Sequence, residues 1–164
     1  MKTKTKMLAT HNDLPADTRE QMVALLNQEL ADMSDLHSQT KQAHWNVKGE
    51  QFISLHKLFD EFAEALTGYI DEIAERAVQL GGTAMGTNRM SAAESRLPEY
   101  PTEVMGSMEH VNALIERYAM VAASVREAID ISEEAGDMDT VDLLSGISLG
   151  MDKWLWFLEA HLHP

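Results

Sequence analysis

Apolar side chains at Met22, Leu25, Leu26, Leu30, Met33, Leu36, Ala43 and Val47 recur at intervals of three and four, the period of one helix face. Pro15 marks the start of this helix, with Asp17 and Glu20 at capping-box spacing, and Gly49 marks its stop. A second run uses Phe52, Leu55, Phe59, Phe62, Leu66, Tyr69, Ile73, Ala77 and Leu80, and Gly81-Gly82 ends it. A third uses Val104, Met108, Val111, Ile115, Tyr118, Ala122, Val125 and Ile129 up to Gly136, and a fourth runs from Val141 through Leu144, Ser148, Met151, Leu155 and Leu158 to Leu162. No segment alternates with period two for long, so the pattern predicts four long helices and no sheet.

The connections decide how these helices are arranged. Two are short, but the middle one, from Gly81 to Thr102, is about twenty residues long and reaches about 66 Å when extended, against about 45 Å for a 30-residue helix. It is long enough to run back along the bundle and leave the second and third helices parallel. That predicts an all-α, ferritin-like four-helix bundle with one long crossover. Ser91 to Glu94 has capping-box spacing and predicts a short helix inside the crossover.

The chain of 164 residues is one domain's worth. Two parts are expected: a flexible basic tail over 1–12 and the bundle over 13–164. The tail holds Lys2, Lys4 and Lys6 and no acid, whereas the remainder carries all 27 acidic residues of a chain whose net charge is −14. Such a body suits cations and argues against a nucleic-acid surface on the bundle itself. Without cysteine there is no thiolate site or thiol nucleophile, and no apolar stretch is long enough to span a membrane. A cytoplasmic protein with no membrane partner is expected.

Seven histidines, abundant carboxylates and no cysteine point to a hard or borderline cation held by nitrogen and oxygen. His56 and Asp60 lie four apart in the second helix, as do Asp71 and Glu75, and at 100° per residue all four fall within an arc of about 100°. Asp60 and Asp71 are about 16 Å apart along the axis, so one chain cannot close both pairs around one ion. The numbers 56 and 75 share a sum, 131, with 60 and 71. Two copies of this helix crossing antiparallel on a two-fold axis near Ala65 and Leu66 therefore bring each pair opposite the other. The turn at Lys48-Gly49-Glu50 sets His44 level with His56. Each site then takes His44, His56 and Asp60 from one chain and Asp71 and Glu75 from the other. Three carboxylates would leave a pair of divalent ions with about one positive charge that a bridging hydroxide could cancel, which is compatible with a di-iron centre.

The stretches Lys41-Gln-Ala-His-Trp-Asn-Val-Lys48, Phe52-Ile-Ser-Leu-His56-Lys-Leu-Phe-Asp60 and Asp71-Glu-Ile-Ala-Glu75-Arg76 resemble the Dps mini-ferritins, the DNA-binding proteins from starved cells. The similarity continues through Ala74 to Gly82, Arg117-Tyr118 and Lys153-Trp-Leu-Trp-Phe157. The family's two His, two Asp and one Glu ligands fall onto His44, His56, Asp60, Asp71 and Glu75. The resemblance implies a hollow dodecameric homo-oligomer and a ferroxidase site between subunits that holds a pair of iron ions. It also implies an iron store inside, hydrogen peroxide as preferred oxidant of Fe(II), and protection of DNA from oxidative damage. Zinc is an alternative occupant. No histidine has a glutamate three residues before it, so the intrachain Glu-x-x-His arrangement of larger ferritins is not expected.

Weaker signals remain open. Trp45 adjoins His44 and is a core aromatic or a neighbour of the metals. His37, on about the same helix face, is a second polar neighbour or an auxiliary ligand. Asp137, Asp139, Asp142 and Asp152 are either solvated acids or a negative pore for iron at a three-fold junction. Lys2, Lys4 and Lys6 form either a frayed terminus or a DNA-binding arm, which would place the protein at the nucleoid.

Overall fold

The computed structural model describes residues 6–104 and 106–163. Five helices follow in order: α1 Ala16–Asn46, α2 Phe52–Gln79, α3 Asn88–Glu94, α4 Ser107–Glu134 and α5 Met138–Glu159; there is no strand among the described residues. The four long helices are those the apolar periodicity predicts, and the fold is all-α and ferritin-like.

Side-chain contacts give the topology. His44 meets His56 and Lys41 meets Asp60, so α1 and α2 are antiparallel. Arg117 bonds Gln39 and Ser124 bonds Glu29, so α1 and α4 are antiparallel too. Helices α2 and α4 therefore run parallel, as the long crossover predicts. That crossover lies along α1: Asn27 holds Thr83 and Met85, Gln28 holds the Glu94 carbonyl, and Gln39 holds the Pro98 carbonyl. Its strongest anchor is Arg96, whose guanidinium reaches both Glu29 and Asp32, carboxylates only 3% and 2% exposed. Buried carboxylates persist only when paired and hydrogen-bonded, and here the arginine does both.

The core between the helices is aliphatic and aromatic, with Leu26, Leu30, Met33, Phe59, Phe62, Leu66, Leu114 and Tyr118 fully buried. Gly82 shows how closely the start of the crossover packs on α1: an added Cβ would collide with a Val23 methyl. Gly81 takes φ +89 where the helix must turn away, a conformation that side chains disfavour.

Helix starts differ from the sequence pattern in three places. Asp17 does not cap α1; Pro15 holds the N-cap position, and the Asp17 carboxylate accepts instead from its neighbour's amide, Thr18 N–H. The short helix opens at Thr87, whose hydroxyl accepts from Met90 N–H, so Ser91 lies inside it and Glu94 ends it. Helix α4 begins at Ser107, later than Val104, because Glu109 reaches back to the Gly106 amide and fixes the start there. The N-terminal segment, from Leu8 on, is held to the body by a 2.7 Å bond from the Leu8 amide to the Gly81 carbonyl, and Met7 packs against the core. Lys6 is exposed; Lys2 and Lys4 lie outside the described residues.

Candidate metal centre

Near the α1–α2 turn, His44 and His56 stack with ring centroids 3.8 Å apart. Each ring is oriented by the other residue's backbone: His44 Nδ1 lies 2.7 Å from the His56 carbonyl, and His56 Nδ1 lies 2.9 Å from the His44 carbonyl. A carbonyl only accepts, so both Nδ1 atoms carry the proton. In the neutral rings both Nε2 atoms then keep a free lone pair, the tautomer a metal ligand needs and the kind of orienting partner that metal-binding histidines use. His44 is 8% exposed and His56 is half-buried.

Asp60 stands one helix turn from His56, with its carboxylate 4.0 Å from the His44 ring and 59% exposed. Lys41 donates to it at 2.6 Å, and this bond is the main cause of a carboxyl held below its usual range. Asp71 and Glu75 are exposed on the same face of α2. Because α2 is unbroken from Phe52 to Gln79, Asp71 and Glu75 stay about 16 and about 22 Å along the axis from Asp60. Among the described residues of one chain, no three His, Asp or Glu side chains close on a common point. What one chain presents is two separate groups, His56 and Asp60 with His44 of α1 beside them, and Asp71 and Glu75 further along the same face of α2.

Trp45 is 67% exposed, with the Lys41 ammonium 5.8 Å from its ring centroid, so it is a surface residue within the single chain. His37 is half-buried, and that burial, followed by the nearby Lys41 charge, lowers its pKa. It lies about 10 Å along α1 from His44, too far to share an ion with it.

The four acids grouped by sequence do not stay together. Asp137 is 1% exposed and caps α5: it accepts from the Thr140 amide at 3.1 Å and from Arg76 Nη2 at 2.6 Å. It is a buried structural carboxylate, not a lining acid. Sequence position alone hid this, because its partner, Arg76, comes from another helix. Asp139 and Asp142 are exposed, with Asp139 3.8 Å from Arg76. Asp152 pairs with Arg126 at 2.8 Å on the surface. Arg76 also donates to Thr140 Oγ1 and thereby fixes the end of α2 against the start of α5, just past Glu75.

A model of the ferritin-like domain family matches residues 23–163. A protein of Agrobacterium fabrum described as a DNA protection during starvation protein is 49% identical over 153 residues, covering 93% of this chain and 94% of that one. The chain belongs to the ferritin-like Dps family. A Brevibacillus brevis relative with the same description is 34% identical over 144 residues, 87% of this chain and 96% of its own. Among solved Dps structures, that of Mycobacterium smegmatis in its tetragonal form superposes with a TM-score of 0.92 at 31% identity, covering 97% of this chain and 96% of that one. The Vibrio cholerae Dps protein, described as a member of a broad superfamily of ferritin-like diiron-carboxylate proteins, superposes with a TM-score of 0.89 at 25% identity, covering 96% and 99%. No helix among the described residues is long and apolar enough to cross a membrane.

Proposed function

We propose that the protein is a ferroxidase of the Dps type, which oxidises Fe(II) with hydrogen peroxide at sites shared between two chains and stores the ferric product inside a dodecameric shell. The observation that carries this reading is the reciprocal pair of Nδ1–carbonyl bonds, which leaves both histidines of the α1–α2 turn with free Nε2 lone pairs beside Asp60. The complementary acids, Asp71 and Glu75, are exposed on the same stripe. Membership in a family whose Vibrio cholerae member is described as diiron-carboxylate supports iron as the substrate.

Each residue has a definable task. His44 and His56 supply neutral nitrogen donors and keep the total ligand charge low. Asp60, with the partner chain's acids, supplies oxygen donors that favour Fe(III) over Fe(II) and so draw the electron out. An incoming cation competes with Lys41 for Asp60, and the displaced ammonium returns to solvent beside Trp45. A pair of Fe(II) ions supplies the two electrons that break the peroxide O–O bond, and both oxygens leave as hydroxide or water. No single-electron cleavage, and hence no hydroxyl radical, is then required, which is how DNA is spared. Zinc fits the same donors and is an inhibitor on this reading. Asp139 and Asp142, outward-facing acids at the start of α5, remain available to draw cations toward a three-fold pore, and Asp152 would join them by releasing Arg126.

Anaerobic protein given Fe(II) and limiting peroxide tests this. Oxidation should consume about two Fe(II) per peroxide, as electron balance demands, and run much faster than with dissolved oxygen. Equal rates with both oxidants, or abundant spin-trapped hydroxyl radical, would contradict the reading.

A second reading, DNA contact by the basic terminus, is favoured by the segregation of Lys2, Lys4 and Lys6 from an acidic body. Three lysines bind phosphate weakly, but copies repeated around a shell act together.

A further inference from the structure

Tyr100, near the end of the crossover, meets a buried base. Its hydroxyl lies 2.7 Å from Nδ1 of His110, a residue 1% exposed in the first turn of α4, and the two rings are nearly parallel, 13° apart. With Nδ1 taken, Nε2 is the nitrogen left to the Asn46 carbonyl beside the ring; it is enclosed and makes no well-formed hydrogen bond. A carbonyl only accepts, so Nε2 carries the proton and Nδ1 presents its lone pair to the Tyr100 hydroxyl, which donates. Burial lowers the pKa of His110 against the pull of the Asn46 carbonyl and Glu109, and burial raises that of Tyr100. Near neutral pH the pair is therefore a phenol hydrogen-bonded to a neutral imidazole. It is built against the turn that carries the metal-centre histidines: Asn46 is two residues after His44, and Ser107, at the start of α4, donates to the Lys48 carbonyl.

We propose that Tyr100 and His110 form a proton-coupled electron donor that quenches the one-electron oxidant made when peroxide meets a single, unpaired Fe(II). For its oxidant the proposal rests on the iron chemistry proposed above. One Fe(II) gives peroxide one electron, which breaks the O–O bond to hydroxide and hydroxyl radical. Tyr100 supplies the second electron, which turns that radical into another hydroxide, and the phenol proton crosses to His110 Nδ1. What remains is a neutral tyrosyl radical beside an imidazolium whose charge the Asn46 carbonyl and Glu109 favour. A later Fe(II) returns the electron and His110 returns the proton, so the total is still two Fe(II) per peroxide. The surroundings favour this route. The Arg117 guanidinium stands 5.5 Å from the centre of the Tyr100 ring and repels a positive ring, so the electron leaves together with the proton. Among the described residues the other two tyrosines lack such a base: the Tyr118 hydroxyl meets the Thr40 hydroxyl at 3.0 Å, and that of Tyr69 lies against Gly150.

Freeze-quench electron paramagnetic resonance on the full-length protein tests the pair in two arms. In the first, substoichiometric Fe(II) is followed by peroxide; in the second, metal-free protein meets a photochemically generated one-electron oxidant. Both should give a tyrosyl radical whose spectrum narrows when the protein is made with ring-deuterated tyrosine. The signal should fall to background in Tyr100→Phe, which keeps the ring under Arg117, and persist in Tyr118→Phe and Tyr69→Phe. His110→Gln, which offers hydrogen bonds but no base, should lower the yield sharply, and circular dichroism checks that each variant is folded. Added Fe(II) should discharge the wild-type radical. No tyrosyl signal in either arm overturns the proposal, as does a signal that survives Tyr100→Phe or an indole radical in its place. An undiminished yield in folded His110→Gln overturns the role of the histidine. A Tyr100 radical in the photochemical arm alone upholds the pair as donor and contradicts instead the iron chemistry that was to supply it.

Discussion

Replacing Asp137 by alanine tests whether that acid is a structural cap or part of an iron path. The substitution removes the N-cap of α5, worth about 1 kcal/mol, and strips the Arg76 guanidinium, itself only 7% exposed, of its closest counter-charge. Breaking one partner out of a buried pair costs about 3–5 kcal/mol. Asp139 stands 3.8 Å from the same guanidinium on the exposed side and replaces part of the loss. A net cost of about 3–4 kcal/mol follows, a fall in melting temperature of roughly 6–16 °C for a chain of this length. Circular dichroism melts of wild type and variant at equal protein concentration measure it, so that the proposed assembly weighs equally on both midpoints. Asp137→Asn, which keeps the acceptor for the Thr140 amide, should fall in between. Adding Arg76→Met to the alanine variant should cost less than the two single losses together, because no buried charge is then left alone. Iron oxidation per folded chain should be unchanged in Asp137→Ala. A melting temperature within about 2 °C of wild type, or slowed uptake at unchanged stability, would refute the assignment.

Three further substitutions have definite expected outcomes. A Cβ at Gly150 would collide with the Tyr69 hydroxyl oxygen, so Gly150→Ala should destabilise by about 1–2 kcal/mol in denaturant titrations even after the gain in helix propensity. Gly146→Ala, with nothing within 4 Å, should be neutral or stabilising by up to about 1 kcal/mol. Replacing Lys2, Lys4 and Lys6 together by alanine should abolish any low-salt gel shift of DNA; this is a cleaner test than deleting the segment, because Leu8 is bonded to Gly81. Equal retardation by both forms, or none by either, would end the DNA reading.

The long helices were legible because apolar period and glycine stops are local signals that the core then enforces. Counting residues about Gly49 was enough to place His44 level with His56, since a tight turn between straight helices leaves little freedom. Cap identity was less legible: Thr87 rather than Ser91 opens α3, and Asp17 caps nothing, because several polar residues in each stretch fit the pattern and tertiary contacts choose among them. Asp137 was misread for the opposite reason. Its meaning depends on Arg76, which is distant in sequence. The reciprocal bonds that orient the two imidazoles, and the hold of Lys41 on Asp60, depend on side-chain placement across the helix pair and left no trace in spacing.

Sharing of the site between chains is best tested by complementation. One variant carries His44→Ala and His56→Ala, the other Asp71→Ala and Glu75→Ala; each alone should oxidise iron slowly, since every site lacks one half. Unfolded and reassembled together, each mixed dimer holds one site missing both halves and one with all five ligands. Random pairing should therefore return about a quarter of the wild-type sites. Fast iron oxidation that appears only on co-assembly is the predicted result. Verified mixed dimers that remain as slow as either parent would contradict the shared centre.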